Sequence, residues 1–100
     1  MDDLTEDEAR MLALIEAQHD FPGPYLFKAI YKNKPSLGES ILAAIQADTG
    51  LQLAIAPPRM QPSKNGKFVS LTLEFTIPEP RQVLRVYRIL AKLESVISYF

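Results

Sequence analysis

Cysteine is absent from this 100-residue sequence, so disulfides, thiolate metal ligands and thiol nucleophiles are excluded by inventory. The fold must therefore hold by packing alone. A cysteine-free chain suits a reducing compartment. The acidic start Met1-Asp2-Asp3 has neither the basic nor the apolar region of a signal peptide, so the expected location is cytoplasmic. Histidine is nearly absent too. His19 has no second histidine or nucleophile beside it to complete an acid–base or metal site. Long hydrophobic runs are missing, because charged residues interrupt every stretch short of the ~20 residues a bilayer crossing needs. No membrane association, metal, cofactor or catalytic group is expected, and the chain reads as a non-enzyme.

What is present is ordinary for one globular domain: 47% apolar and 23% charged residues, with eight prolines and four glycines too scattered to form a linker. A chain of this length buries roughly two-thirds of its unfolded surface in one core. The net charge of -1 conceals an asymmetry. Asp2, Asp3, Glu6, Asp7, Glu8, Glu16 and Asp20 precede residue 21 against Arg10 alone, whereas the rest of the chain is basic. An acidic arm over residues 1–20 thus precedes a basic body over residues 21–100; solubility alone explains the split, and the alternatives are that the two pair or meet different partners.

The element pattern is legible. Thr5-Glu6-Asp7-Glu8 is a capping box that opens a helix running to about Gln18, with Leu4, Glu8, Met11 and Ile15 on one stripe and Leu12 and Leu14 beside it. Phe21-Pro22-Gly23-Pro24 ends it. Tyr25 to Lys32 alternates as a strand, Tyr25, Phe27, Ala29 and Tyr31 sharing one side. A second helix is expected from Ser36, with Ser36 and Glu39 as another capping box and Gly50 as its stop. Leu51 to Ala56 forms a strand that Pro57-Pro58 confines to an edge or bulge. Asn65-Gly66 marks a hairpin. After it Val69, Leu71, Leu73, Phe75 and Ile77 share one face of a strand. Pro80 opens the last helix, whose buried stripe is Val83, Val86, Tyr87, Leu90 and Leu93, and Val96 to Phe100 closes the sheet. The fold class is α+β: an extra N-terminal helix, then β-α-β-β-α-β with strand order 4-1-3-2 and both helices on one face of an antiparallel sheet.

Two segments carry a family resemblance. Phe21-Pro22-Gly23-Pro24-Tyr25 followed by Lys28, and Ser63-Lys64-Asn65-Gly66-Lys67-Phe68 with Ser70, make the chain resemble the YbeD-like family of small bacterial proteins of unknown function. The likeness spans about residues 21–100. It implies a ferredoxin-like domain similar to ACT domains, regulatory modules that bind amino acids, and it implies no catalysis. It assigns no site residues, and the first twenty residues lie outside it.

Candidate sites follow from leftover charge and apolar surface. Lys32, Asn33 and Lys34 lead into the helix at Ser36, where free amides, the positive helix end and the close approach allowed by Gly38 suit a small anionic metabolite; a solvated helix start explains the same residues. Lys64, Asn65, Gly66 and Lys67 form the hairpin tip, where Asn-Gly serves the turn whatever the protein does. Arg81, Arg85, Arg88 and Lys92 align on one helix face; a solvated face with stems over apolar neighbours explains them, and the sharper alternative is that the acidic N-terminal helix covers it. The open sheet face should carry Leu26, Lys28 and Ile30 beside Phe68, Ser70, Thr72 and Glu74, with Lys28 pairing Glu74. Such a face suits a partner protein or a second copy in a homodimer, unless the N-terminal helix covers it. Gly66-Lys67-Phe68-Val69 resembles part of an RNA-recognition strand motif, but Phe68 is the lone outward aromatic there and the sequence pI is about 5.8, which disfavours nucleic acid. The expected function is a non-catalytic regulatory or adaptor domain that binds a partner protein or a small anionic metabolite; the alternative is a structural interaction module without a ligand.

Overall fold

A computed structural model describes residues 4–100, so Asp2 and Asp3 of the acidic arm lie outside the described residues. Helix α1 (Glu6–Gln18) starts with the expected capping box: the Glu8 amide donates to the Thr5 hydroxyl and the Thr5 amide to the Glu8 carboxylate, each at 3.1 Å. Its docking stripe is narrower than the sequence suggests. Ile15 is buried and Leu4 and Leu12 half-buried, while Met11 and Leu14 face outward. Glu8, Leu12 and Ile15 recur at helical spacing, and it is this line that turns toward the body.

Strand β1 (Gly23–Lys32) runs antiparallel to β4 (Phe68–Ile77) along its whole length, from Gly23 opposite Ile77 to Lys32 opposite Phe68. Alternation sends Phe27, Ala29 and Tyr31 of β1 and Val69, Leu71, Leu73, Phe75 and Ile77 of β4 into one core. Helix α2 (Leu37–Thr49) adds Ile41 and Ile45, and helix α3 (Pro80–Lys92) adds Val83, Leu84, Val86 and Leu90. Both helices therefore cover the same face of the sheet, and α1 packs against α3 with Ile15 joining the same cluster.

The expected strand over 51–56 is cut short. Only β2 (Gln52–Leu53) pairs there with β4, and a further strand, β3 (Arg59–Pro62), pairs with β4 nearer its start. Pro57 and Pro58 have no amide to donate, so the ladder lapses between the two pieces. Strand β5 (Val96–Tyr99) lies on the other side of β1, and the order is β2-β4-β1-β5, with β3 sharing the β2 edge. The result is the α+β, ferredoxin-like (ACT-like) sandwich with an N-terminal helix added.

One local expectation is overturned. Ser36 precedes α2, but its side chain makes no capping bond. Its φ of 65° places it in the left-handed region, so the backbone turn rather than the hydroxyl starts the helix. Gly50, with φ of 70°, closes α2 as expected, its amide donating to the Gln46 carbonyl at 2.8 Å. The hairpin also forms as read: Gly66 has φ of 77°, and the Asn65 Oδ1 accepts the Lys67 amide at 3.0 Å. Among the described residues no helix is long and apolar enough to cross a membrane.

Candidate functional site

The uncovered side of the sheet is built by parity. With the odd residues of β1 and the odd-numbered apolar residues of β4 committed to the core, Leu26, Lys28, Ile30 and Lys32 must face away from the helices, opposite Glu74, Thr72, Ser70 and Phe68 in turn. Rows then extend sideways. Arg59 of β3 lies beyond Thr72, and Phe100 lies beyond Lys28, held by reciprocal backbone bonds of 2.6 and 2.9 Å. Arg59, Thr72, Lys28 and Phe100 form one line across the face.

The 55–58 segment, displaced where the prolines break the edge, stands over one flank. Ile55, Pro57, Pro58 and Arg59 line a small recess with Leu26, Thr72 and Glu74. Phe100, 59% exposed, stands on the opposite flank. Leu26 and Ile55 remain 46% and 59% exposed, and Phe68 is 37% exposed at the end of the face. The N-terminal helix does not cover this side, because α1 is spent on α3. Nor do Lys28 and Glu74 pair. They sit one register step apart, each opposite an uncharged residue, and the ion pairs among the described residues lie elsewhere.

Among the described residues, the acidic arm meets the basic helix where Glu8 faces Arg88. Arg88 donates to the two Glu8 carboxylate oxygens at 2.7 and 3.1 Å. That guanidinium, with the Thr5 amide, holds the Glu8 carboxyl down at about 2. Arg85 turns instead to α2, donating to the Asp48 carboxylate at 2.8 Å and to the Asp48 carbonyl. Sequence pattern placed these arginines on one face but had no means of finding Asp48, which is 37 residues away.

At the start of α2 the structure gathers a second candidate. Asn33, Lys34, Ser36 and Gly38 line a cavity of about 280 Å³ together with Tyr31, Glu39 and Met60; Lys32 does not line it and borders a separate recess with Leu37, Glu94 and Ile97. Asn33 is partly committed to structure, its side-chain amide donating to the Gly66 carbonyl at 2.9 Å and its backbone amide to Lys67. Gly38 is a notch: a Cβ there would collide with the Tyr31 hydroxyl and stand 2.8 Å from the Met60 Cε. Tyr31 is 2% exposed, and its hydroxyl makes no hydrogen bond to a described residue. Burial and then the Glu39 carboxylate push the Tyr31 hydroxyl pKa up. Sequence reading missed Tyr31 and Met60, since nothing in a strand's alternation says that one ring passes over a helical glycine. At the hairpin, Lys64 and Lys67 flank a turn closed internally by Ser63 and Asn65, whose side chains bond each other at 3.1 Å.

Among the described residues no cluster of carboxylates or histidines has the arrangement of a metal site. Two concave features stand out among the described residues: the flanked sheet face and the cavity at the start of α2 bordered by Tyr31.

Comparison with known proteins bears on the fold and the family. The chain is 29% identical over 77 residues to a UPF0250 protein of Shewanella piezotolerans, spanning 77% of this chain and 84% of that protein. In solved structures, the C-terminal domain of the MgtC protein from Mycobacterium tuberculosis superposes at a TM-score of 0.60 with 16% identity, covering 82% of this chain and 88% of that one. Protein HP0495 from H. pylori superposes at 0.60 with 14% identity, covering 86% and 92%. These two likenesses establish the fold. The model of a protein family of unknown function matches residues 16–100. On that match, the chain belongs to the DUF493 family.

Proposed function

We propose that this chain is a non-catalytic regulatory or adaptor domain that works by binding a partner protein through its open sheet face. The observation that carries this reading is the exposure of Leu26, Ile55 and Phe100 around the one sheet face that no helix covers. Clustered apolar side chains rimmed by charge mark association surfaces. A test compares what the tagged chain and its Leu26→Glu variant retain from the protein's own cell extract. Leu26 is on the surface, so the variant should keep its melting temperature within a few degrees. A protein retained by the parent chain and lost by the variant, yet kept by Leu14→Glu on the outer side of α1, supports the reading. An identical retained set for all three overturns it.

A second reading, a small anionic metabolite at the α2 start, is favoured by one observation. The Tyr31 hydroxyl borders the same cavity as Lys34 and the first turn of α2, where it is placed to donate to a ligand. A ligand carboxylate or phosphate oxygen in that cavity can accept from the hydroxyl while Lys34 supplies positive charge. Thermal-shift screening with carboxylates and phosphate compounds checks this: a ligand that binds only the folded state raises the melting temperature, and Tyr31→Phe should abolish that rise.

A further inference from the structure

The open face holds more information than its apolar character, because its charges are uneven. Lys28, Lys32 and Arg59 lie on it against Glu74 alone, and none of the four enters an ion pair among the described residues. Three arginines elsewhere are neutralised locally: Arg10 with Asp7, Arg85 with Asp48, Arg88 with Glu8. A face that keeps its cations unpaired repels a copy of itself, since a two-fold contact sets like potentials together. It attracts an acidic surface.

Shape narrows the occupant further. Between Arg59 and Phe100 the row crosses three strand spacings, or ~14 Å from flank to flank. An α-helix with its side chains is ~10 Å across, so one helix fits between the 55–58 segment and Phe100. The middle of a sheet face also offers no free backbone groups, because β1 and β4 are paired on both sides. An occupant of that face must therefore bind by side chains, as a helix in a groove does.

We propose that this groove receives an acidic amphipathic helix of a partner protein. The helix lays an apolar stripe on Leu26, Ile30 and Thr72 and sets its carboxylates against Lys28, Lys32 and Arg59. The inference rests on the adaptor reading above and names its partner's chemistry.

The probes are two synthetic 18-residue peptides with the same leucine stripe, one with glutamate and one with lysine on its polar face. Binding is followed on the full isotopically labelled chain by amide chemical shifts. The glutamate peptide should shift Leu26, Lys28, Ile30, Thr72 and Phe100, weaken at least tenfold as salt rises from about 0.05 to 0.5 M, and exceed the lysine peptide at least tenfold. Lys28→Glu with Arg59→Glu should reverse that preference. Equal binding of both peptides, shifts confined to Arg85 and Arg88 on α3, or no shifts at all overturns the inference. So does a homodimer in light scattering that Leu26→Glu dissolves, which would make a second copy the occupant. If the peptide fails while Leu26→Glu still loses a protein from extract, the adaptor reading stands and only the acidic helix is wrong.

Discussion

The Glu8 carboxylate and the Arg88 guanidinium are joined by two hydrogen bonds across 80 residues of chain. The same carboxylate closes the capping box of α1, so one side chain both starts the first helix and fastens it to the last. This coupling makes the helix sensitive to acid. The folded Glu8 carboxyl sits at about 2, below its ordinary 4.5. Its contribution is fully present above pH 4.5 and is lost as pH falls through 2. Glu8→Gln should melt a few degrees below the parent chain at pH 7, and the gap should close between pH 4.5 and 2. A gap that is constant with pH would show that the charge is not what matters.

Removing residues 1–20 should destabilise the chain at all salt concentrations. Glu8–Arg88 is partly exposed and screened by salt. Ile15, at 5% exposure, is not, and its burial contributes about 1.5–3 kcal/mol. Melting curves at low and high salt should therefore show a loss that shrinks with salt without vanishing.

Within the core, Leu71→Ala should cost about 2–5 kcal/mol, since Leu71 is fully buried on the central strand β4 and its removal leaves a cavity. Leu14→Ala should change stability by less than about 0.5 kcal/mol, because Leu14 is 59% exposed. Urea titration of both variants measures the contrast.

Gly38→Ala should destabilise by about 1–3 kcal/mol, the ordinary cost of overpacking, because the new methyl meets the Tyr31 hydroxyl and the Met60 thioether. Tyr31→Phe in the same chain should recover part of that loss by removing the nearest atom. Denaturant midpoints for the two single variants and the double variant test it, and a strictly additive double variant would refute the contact.

Ser36→Gly should stabilise the chain by about 0.5–1 kcal/mol. Ser36 holds φ of 65° and makes no capping bond, so glycine relieves the left-handed strain and gives up no hydrogen bond. The denaturant midpoint should rise.

Periodicity reported on elements whose neighbours in sequence are also their neighbours in space. The alternation of Val69 to Ile77 and of Phe27 to Tyr31, the Thr5–Glu8 box and the Gly50 stop are all local patterns, and each is realised in the fold. The Ser36 box failed because two backbone conformations fit the same four residue types there, and the turn after Pro35 chose the left-handed one. Pro57 and Pro58 announced a broken edge, but that the chain would re-pair with β4 at Arg59–Pro62 depended on where β4 lay.

The functional surfaces divide the same way. Sequence by itself determined which residues share the open face, because a strand's side chains alternate whatever surrounds them. It also placed Lys34 and Gly38 beside a helix start. Only tertiary packing decided that α1 would be consumed by α3 and leave that face bare, that Ile55 and Phe100 would flank it, and that the Tyr31 hydroxyl would lie over Gly38. Those are contacts between residues far apart along the chain, and local alternation has no range to specify them.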